Sequence, residues 1–131
     1  MQPTDIKLHR KSGILELHYG DGVYELFAEF LRVYSPSAEV RGHGPGQEVL
    51  QVGKKNVLIT KVDQVGNYAL RLHFDDDHNT GIYSWDYFRD LCLNQSAMWE
   101  NYLEKLQAAN ASRETLSKDT QVVTITPLKA K

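Results

Sequence analysis

The sequence predicts an α+β fold, in which a small antiparallel β-sheet of about five or six short strands carries two or three packed helices. Segments in which apolar and polar residues alternate, as they do in half-buried strands, recur between residues 6 and 74. Glycine-rich turn signals separate the first of these segments, and this arrangement is typical of antiparallel hairpins. Beyond residue 84 the apolar residues recur at helical spacing, which indicates helices.

Three strands at the start of the chain form a predicted β-meander. They cover residues 6–10, 14–19 and 23–27. Asp21-Gly22 closes the second hairpin, because this pair tolerates the positive φ angles that tight turns require. The face of the middle strand that alternation assigns to the core consists of Leu15, Leu17 and Tyr19.

A short helix and two further strands follow the meander. The helix spans residues 29–34 and ends before Pro36, because a proline disfavours the helical conformation of the residue before it. Residues 35–46 contain three glycines and two prolines, and an irregular loop is predicted there. The two strands cover residues 56–62 and 68–74. In the second strand the predicted inner face consists of Tyr68, Leu70, Leu72 and Phe74, and the outer face of Arg71 and His73.

Two consecutive helices are predicted after residue 84. Ser84 is the predicted N-cap, because a serine side chain can accept a hydrogen bond from the first helical turn. Asn94 is predicted to interrupt the helix, and a second helix runs from residue 95 to residue 108. The predicted inward-facing residues are Trp85, Phe88, Leu91, Cys92, Trp99, Tyr102, Leu103 and Leu106.

The folded domain is expected to span residues 1–109, with residues 110–131 as a flexible C-terminal tail. From Asn110 the composition shifts to serine, threonine, lysine and glutamate. Residues 122–126 have the composition of an edge strand. Few apolar residues precede them to anchor such a strand, so a frayed tail is favoured.

Composition restricts the class of protein. A chain of 131 residues with 41% apolar and 24% charged residues is typical of one globular domain. Its net charge of −2 does not indicate non-specific nucleic-acid binding, which needs an excess of positive charge. No apolar segment is long enough to cross a membrane. The single cysteine, Cys92, excludes an internal disulfide. Because no secretion signal is apparent at the N-terminus, a cytoplasmic location is expected.

The densest group of polar and aromatic side chains lies between Asp75 and Phe88. Asp75, Asp77 and His78 are candidate ligands for a divalent cation such as iron or zinc, because carboxylates and imidazoles bind these metals. The alternative is an acidic turn between a strand and a helix, in which aspartates accept backbone N–H groups. The spacing of these residues favours the acidic turn.

A second polar segment surrounds the glycines at positions 42, 44 and 46. Arg41 and His43 are candidates for holding an anion there. The segment is not a phosphate-binding loop of the Walker type, which needs Gly-Lys-Ser/Thr, and Pro45 removes one N–H donor. A tight structural loop, in which glycines supply unusual backbone angles, is the favoured alternative.

Two motifs in this order resemble a known family. They are Tyr34-Ser35-Pro36-Ser37-Ala38-Glu39-Val40-Arg41-Gly42-His43-Gly44 and, after His78, Gly81-Ile82-Tyr83-Ser84-Trp85-Asp86-Tyr87. The chain resembles the small bacterial proteins of the gamma-butyrobetaine hydroxylase-like N-terminal domain family, a domain of unknown function. The resemblance covers residues 6–93. In the hydroxylases this domain precedes a catalytic iron barrel, which the present sequence does not contain.

The resemblance implies a zinc module in the larger relatives, in which three cysteines join one histidine. Ser35, Ser37 and Val40 occupy the cysteine positions here, and His78 occupies the histidine position. Hydroxyls and a valine cannot replace thiolates in such a site, so the zinc site is expected to be lost. The two segments that form it in the relatives are still expected to lie close together.

Three functional hypotheses follow. The favoured one is a non-catalytic accessory or binding domain that contacts a protein partner through Arg41, His43, His78 and Tyr83. Similar domains are fused to ATPases of the iron–sulfur carrier type, so the resemblance implies a partner in iron or iron–sulfur metabolism. The alternative is a metal-binding protein that holds iron or zinc with His78, Asp75 and Asp77. A small enzyme is disfavoured, because the sequence shows no set of nucleophile, base and orienting residue.

Overall fold

The computed structural model describes residues 1–115, which form an α+β domain with six strands and three helices. The strands divide into two antiparallel sheets of three strands each, not into one continuous sheet. The predicted fold class is confirmed. Residues 116–131, including the predicted strand or frayed end at 122–126, lie outside the described residues.

The first sheet is the predicted meander. Its strands are β1 (Asp5–His9), β2 (Ile14–Tyr19) and β3 (Gly22–Phe27), in the order β1-β2-β3. Alternation along β2 turns Leu15, Leu17 and Tyr19 towards the core, and all three are buried. This confirms the predicted inner face.

The second sheet contains β4 (Ile59–Val65), β5 (Ala69–Phe74) and β6 (Ile82–Ser84), in the order β4-β5-β6. β4 begins at Ile59 and not at residue 56, because the preceding residues form a turn closed by the hydrogen bond from the Val57 N–H to the Lys54 carbonyl (3.1 Å). β6 has no counterpart among the predicted elements, since a strand of three residues is too short to show alternation.

On β5, the predicted inner face is confirmed at Leu70, Leu72 and Phe74, which are all buried. Tyr68 was expected on the same face, and that prediction is wrong. It is 58% exposed, because it lies in the turn before β5, where its N–H donates to the Val65 carbonyl.

The three helices are α1 (Ala28–Val33), α2 (Ala38–Arg41) and α3 (Trp85–Ala108). α1 begins and ends one residue before its predicted bounds. α2 lies inside the segment that was expected to be wholly irregular, so that prediction is wrong. Ser37 caps α2, because its side chain accepts a hydrogen bond from the Glu39 N–H (3.2 Å).

α3 joins the two helices predicted after residue 84. Ser84 caps it by accepting from the Tyr87 N–H (3.1 Å), and Asn94 departs from helical geometry with φ −119° and ψ 16°. Both predictions are confirmed. Leu103, predicted to face inward, is 38% exposed. Towards the end of α3, Tyr102 and Leu106 reach a small buried cluster that does not include Leu103.

One apolar core connects both sheets with α1 and the first half of α3. The ring of Trp99 extends this packing, with its centroid 4.8 Å from that of Phe27. Among residues 1–115, no helix is both long and apolar enough to cross a membrane.

α1 buries a carboxylate whose partner follows α3. Glu29 is 4% exposed, and its two oxygens accept from Nε and Nη2 of Arg113 at 2.7 Å each. The same segment is held by a hydrogen bond from the Lys55 N–H to the Arg113 carbonyl (2.9 Å). The described end of the chain therefore packs against the domain.

Removing the Arg113 side chain is expected to destabilise the domain. In Arg113→Ala the Glu29 carboxylate stays buried without its partner, so the free energy of unfolding should fall by about 1–3 kcal/mol. Because the two residues are coupled, the double variant Glu29→Ala/Arg113→Ala should lose less than the sum of the single variants. Denaturant unfolding measures this coupling, and additive losses would contradict it. Glu114→Ala is the control, because its pair with Lys55 is exposed and such pairs contribute little.

Candidate functional site

The two motif-bearing segments lie side by side, which confirms the expectation from the resemblance. Oγ of Ser35 lies 2.8 Å from Nε2 of His78, and Oγ of Ser37 lies 2.6 Å from Oγ1 of Thr80. The carboxylate of Glu39 contacts Nδ1 of His78 and Oγ1 of Thr80, both at 3.2 Å. We call these five side chains the tether.

Each hydrogen bond of the tether has one direction when the imidazole is neutral. The Glu39 carboxylate only accepts, so Thr80 and Nδ1 of His78 donate to it. Nε2 of His78 then accepts from the Ser35 hydroxyl, and the Ser37 hydroxyl donates to Thr80. Backbone N–H groups donate to the two serine oxygens at 3.2 Å. The tether is therefore a closed network of matched donors and acceptors.

His78 lies inside the domain, with its side chain 2% exposed. Burial lowers the pKa of His78, and the positive charge of Arg32 lowers it further, although Glu39 and Asp76 act in the opposite direction. The imidazole is therefore neutral at pH 7, as the tether requires. His78 was expected to contact a protein partner, and its burial corrects that prediction, because a buried side chain does not reach a partner.

Tyr83 also belongs to the core and not to a binding surface. Alternation along β6 turns its side chain inward, where it is fully buried and its ring stacks on Phe88 with the centroids 5.3 Å apart. Its hydroxyl donates to the Leu31 carbonyl, and burial raises the pKa of Tyr83. Of the four predicted binding residues, two are thus buried.

The predicted metal ligands are not brought together. Oδ1 of Asp75 accepts from a backbone N–H at 3.1 Å, and Asp77 has a φ of 67° in an acidic turn. The ring nitrogens of His78 bind the other partners of the tether. In the part of the chain that the structure describes, no three His, Cys, Asp or Glu side chains are placed to hold a metal ion. The acidic-turn alternative describes this segment, and the metal-binding hypothesis gains no support here.

Asp76 and Arg32 form a second link between the segments. Oδ2 of Asp76 accepts from Nε of Arg32 at 2.9 Å and from Nζ of Lys54 at 2.7 Å. Burial opposes ionisation of Asp76, but the Lys54 hydrogen bond and the charge of Arg32 outweigh it, so the pKa of Asp76 is lowered. Arg32 also donates to the Gln51 side chain (2.9 Å). The sequence analysis missed Arg32, because a helical arginine usually faces solvent and its partners are distant in sequence.

The tether does not fit the zinc site that the resemblance implies. Such a site needs four thiolate or imidazole ligands. The family's cysteine positions supply two hydroxyls and the buried side chain of Val40. The free nitrogen lone pair of His78 already accepts from Ser35. These residues therefore do not form a zinc site of this type.

The tether contains a hydroxyl, an imidazole and a carboxylate joined by hydrogen bonds in the same order as in a catalytic triad. These groups belong to Ser35, His78 and Glu39. The sequence analysis found no such set, because His78 is 43 and 39 positions from its two partners. Ser35 is 1% exposed, and a Cβ built on Gly81 would lie only 2.4 Å from its oxygen. A nucleophile must reach its substrate, whereas this hydroxyl is covered. The arrangement holds two segments together and presents no nucleophile.

A cavity of about 730 Å³ opens beside the tethered segment, between the loop that leads from α1 to residue 51 and the helix α3. We call it the groove. Apolar and aromatic side chains form its floor, and charged side chains form its rim. The floor consists of Val33, Tyr34, Val40, Leu50, Tyr87 and Tyr102.

The three tyrosines of the floor are fixed by their own hydroxyls. Each donates to a backbone carbonyl at 2.6 Å: Tyr34 to Met98, Tyr87 to Tyr34, and Tyr102 to Gln51. Because each hydroxyl donates its hydrogen inside the domain, the floor offers ring surface and no hydroxyl donor to a ligand.

Arg41 and His43, the other two predicted binding residues, are exposed at the rim of the groove. The guanidinium of Arg41 lies 4.9 Å from the ring centroid of Tyr87, within the range of a cation–π contact. Lys105 of α3 and Glu48 of the loop complete the charged rim. Backbone N–H groups lower the pKa of Glu48, and the charge of Lys105 adds to this effect. The rim therefore carries fixed charges of both signs.

Gly81→Ala is expected to disrupt the tether. The added Cβ would lie 2.4 Å from the Ser35 oxygen, so the hydroxyl must move and the free energy of unfolding should fall by about 1–3 kcal/mol. Gly44→Ala is the matched control, because no heavy atom lies within 4 Å of its Cβ, and its effect should stay below about 1 kcal/mol. Denaturant unfolding compares the two variants. Equal effects would contradict the role of Gly81.

Stability is expected to fall as the pH drops below about 6.5, the ordinary pKa of histidine. The pKa of folded His78 is lowered, so in that range the unfolded chain binds a proton that the folded chain does not. His78→Gln should therefore lose less stability than the wild type between about pH 7 and pH 5.5. The control Gly44→Ala removes no titratable group and should keep the wild-type slope. Denaturant unfolding at a series of pH values measures the slopes, and parallel slopes for His78→Gln and the wild type would rule out this linkage.

Known structures share this architecture. One NMR solution structure is 45% identical with a TM-score of 0.78, and the alignment covers 94% of this chain and 98% of that chain. A second NMR solution structure is 52% identical with a TM-score of 0.73, covering 95% and 93%. A crystal structure of a protein with unknown function from Acidithiobacillus ferrooxidans ATCC 23270, assigned to the DUF971 family, is 37% identical with a TM-score of 0.53, covering 69% and 91%.

No curated protein matches this chain. The family described as gamma-butyrobetaine hydroxylase-like, N-terminal, matches residues 6–89, which is more than half of the sequence. This match confirms the resemblance carried by the two motifs. The chain therefore belongs to the gamma-butyrobetaine hydroxylase-like, N-terminal family.

Proposed function

We propose that this chain is a non-catalytic binding domain that holds a segment of a protein partner in the groove. The proposal rests on one observation. The cavity is open and preformed, and the loop that forms one of its sides is held in place by the tether. The cavity volume of about 730 Å³ lies within the range of roughly 300–1,000 Å³ that ligand sites span.

The fixed loop favours binding without a large cost of ordering. The tether holds the first part of the loop, and Arg32 holds Gln51 at its other end. The hydroxyl of Tyr102 binds the carbonyl of the same Gln51. A surface that is already ordered loses little conformational entropy when a partner binds.

The chemistry of the groove favours binding over reaction. The tyrosine hydroxyls of the floor donate to backbone carbonyls, and the hydroxyl of Ser35 is covered. Arg41, His43 and Lys105 remain as exposed polar groups at the rim. These side chains suit recognition of a polar segment above an aromatic surface.

The resemblance supplies the first partners to test. Similar domains are fused to ATPases of the iron–sulfur carrier type, so carriers and other proteins of iron–sulfur metabolism are the first candidates.

Gly44→Trp is expected to weaken partner binding more than about tenfold, which is the loss of roughly 1.4 kcal/mol of binding free energy. Gly44 lines the groove, and no heavy atom lies within 4 Å of its Cβ, so a tryptophan there obstructs the groove without a clash at Cβ. Isothermal titration calorimetry with purified carrier proteins measures the affinities.

Gly20→Trp is the matched control. Gly20 also has no heavy atom within 4 Å of its Cβ, and it lies between β2 and β3, outside the groove lining. The control should bind like the wild type. A partner that binds Gly44→Trp and Gly20→Trp with the same affinity would show that the groove is not its binding site.

A further inference from the structure

Two positively charged side chains at the rim of the groove, Arg41 and Lys105, form no close ion pair within residues 1–115. In the described part of the chain, six other cationic side chains lie within 4.0 Å of a carboxylate: Arg32, Lys54, Lys55, Lys61, Arg89 and Arg113. Within residues 1–115, neither Arg41 nor Lys105 forms such a pair, and both are exposed at the rim. Their charges are thus available to a ligand.

We infer that the groove binds an acidic peptide segment that carries one apolar or aromatic anchor residue, an inference that rests on the proposed function. The carboxylates of such a segment form charge-assisted hydrogen bonds with Arg41 and Lys105. Its anchor residue covers the tyrosine rings of the floor. Anchors of this kind, buried at the centre of an interface, carry most of the binding free energy.

The floor selects an apolar anchor for a physical reason. A polar side chain placed on it loses its hydration and receives no hydrogen from the hydroxyls of Tyr34, Tyr87 or Tyr102, which donate to backbone carbonyls. An apolar or aromatic side chain loses only unfavourable contact with water. The polar selectivity of the groove therefore comes from its rim.

The rim selects negative charge. Arg41 and Lys105 contribute two positive charges and Glu48 one negative charge, so the charges of these three side chains sum to +1. The rim is therefore positively charged, whereas the whole chain has a formal net charge of −2. An acidic segment is therefore attracted to the rim of the groove, and this electrostatic complementarity favours docking there.

The chain's own C-terminal residues have the wrong charge for the groove. Residues 116–131 contain three lysines and one aspartate. Charge complementarity therefore favours a segment from a partner protein over this part of the same chain.

The test uses the full chain and three fluorescent peptides of equal length with the same central phenylalanine. In the acidic peptide this phenylalanine is flanked by aspartate and glutamate. In the neutral peptide it is flanked by asparagine and glutamine, and in the basic peptide by lysine. We expect the acidic peptide to bind at least about tenfold more tightly than the other two. We also expect Arg41→Glu and Lys105→Glu each to weaken it at least about tenfold, because each variant loses a hydrogen bond to a charged group and adds repulsion between carboxylates. Arg71→Glu is the control, because Arg71 is exposed on β5 outside the groove, and its affinity should match the wild type.

The outcomes separate this inference from the proposed function. If the acidic and neutral peptides bind equally, and Gly44→Trp abolishes both, the charge selectivity is wrong and the groove remains a binding site. If the acidic peptide binds Gly44→Trp as well as it binds Gly20→Trp, the groove is not the site and both proposals fail. If none of the peptides binds, or if inorganic phosphate alone occupies the rim, the inference of an acidic peptide is overturned. Fluorescence anisotropy at two salt concentrations adds a further criterion, because attraction between exposed charges weakens with salt.

Discussion

The neutral imidazole of His78 is the group on which the arrangement of the site depends. A neutral imidazole has one N–H and one lone pair, and here the N–H serves Glu39 while the lone pair serves Ser35. Protonation would turn the lone pair into a second donor and leave the Ser35 hydroxyl without its acceptor. Burial opposes that protonation, so the desolvation that isolates His78 also preserves the direction of every bond in the tether.

The tether also explains why the loop after α1 has a fixed side and an open side. Towards the second sheet, the polar side chains of the loop are used by the tether, and Arg32 of α1 pairs with Asp76 beside them. Towards α3, the loop contributes Arg41 and His43 to a cavity, and tyrosine rings separate it from the core. A binding surface needs both properties, because a loop that reorders on binding loses part of the free energy it gains.

The sequence predicts what depends on neighbouring residues and misses what depends on distant ones. Alternation locates most of the strands, and local capping and helix-breaking tendencies locate Ser84 and Asn94. The division into two sheets does not follow from alternation, which leaves strand pairing open. Likewise, the polar stretch after β5 resembles a surface site until its partners are known. His78 is buried by residues about forty positions away, and Tyr83 binds a carbonyl 52 positions away.

The tether differs from the zinc site that the resemblance implies in how much it can stabilise the loop. Structural zinc sites contribute about 10–16 kcal/mol to folding in small domains, whereas one hydrogen bond contributes about 0.5–1.5 kcal/mol net. The tether alone therefore cannot supply what zinc supplies in such domains, and other contacts must share the task. The Arg32–Asp76 pair and the bonds of Tyr87 and Tyr102 to the loop backbone are those contacts. Since the same two tyrosines form part of the floor of the groove, residues that stabilise the loop also shape its binding surface.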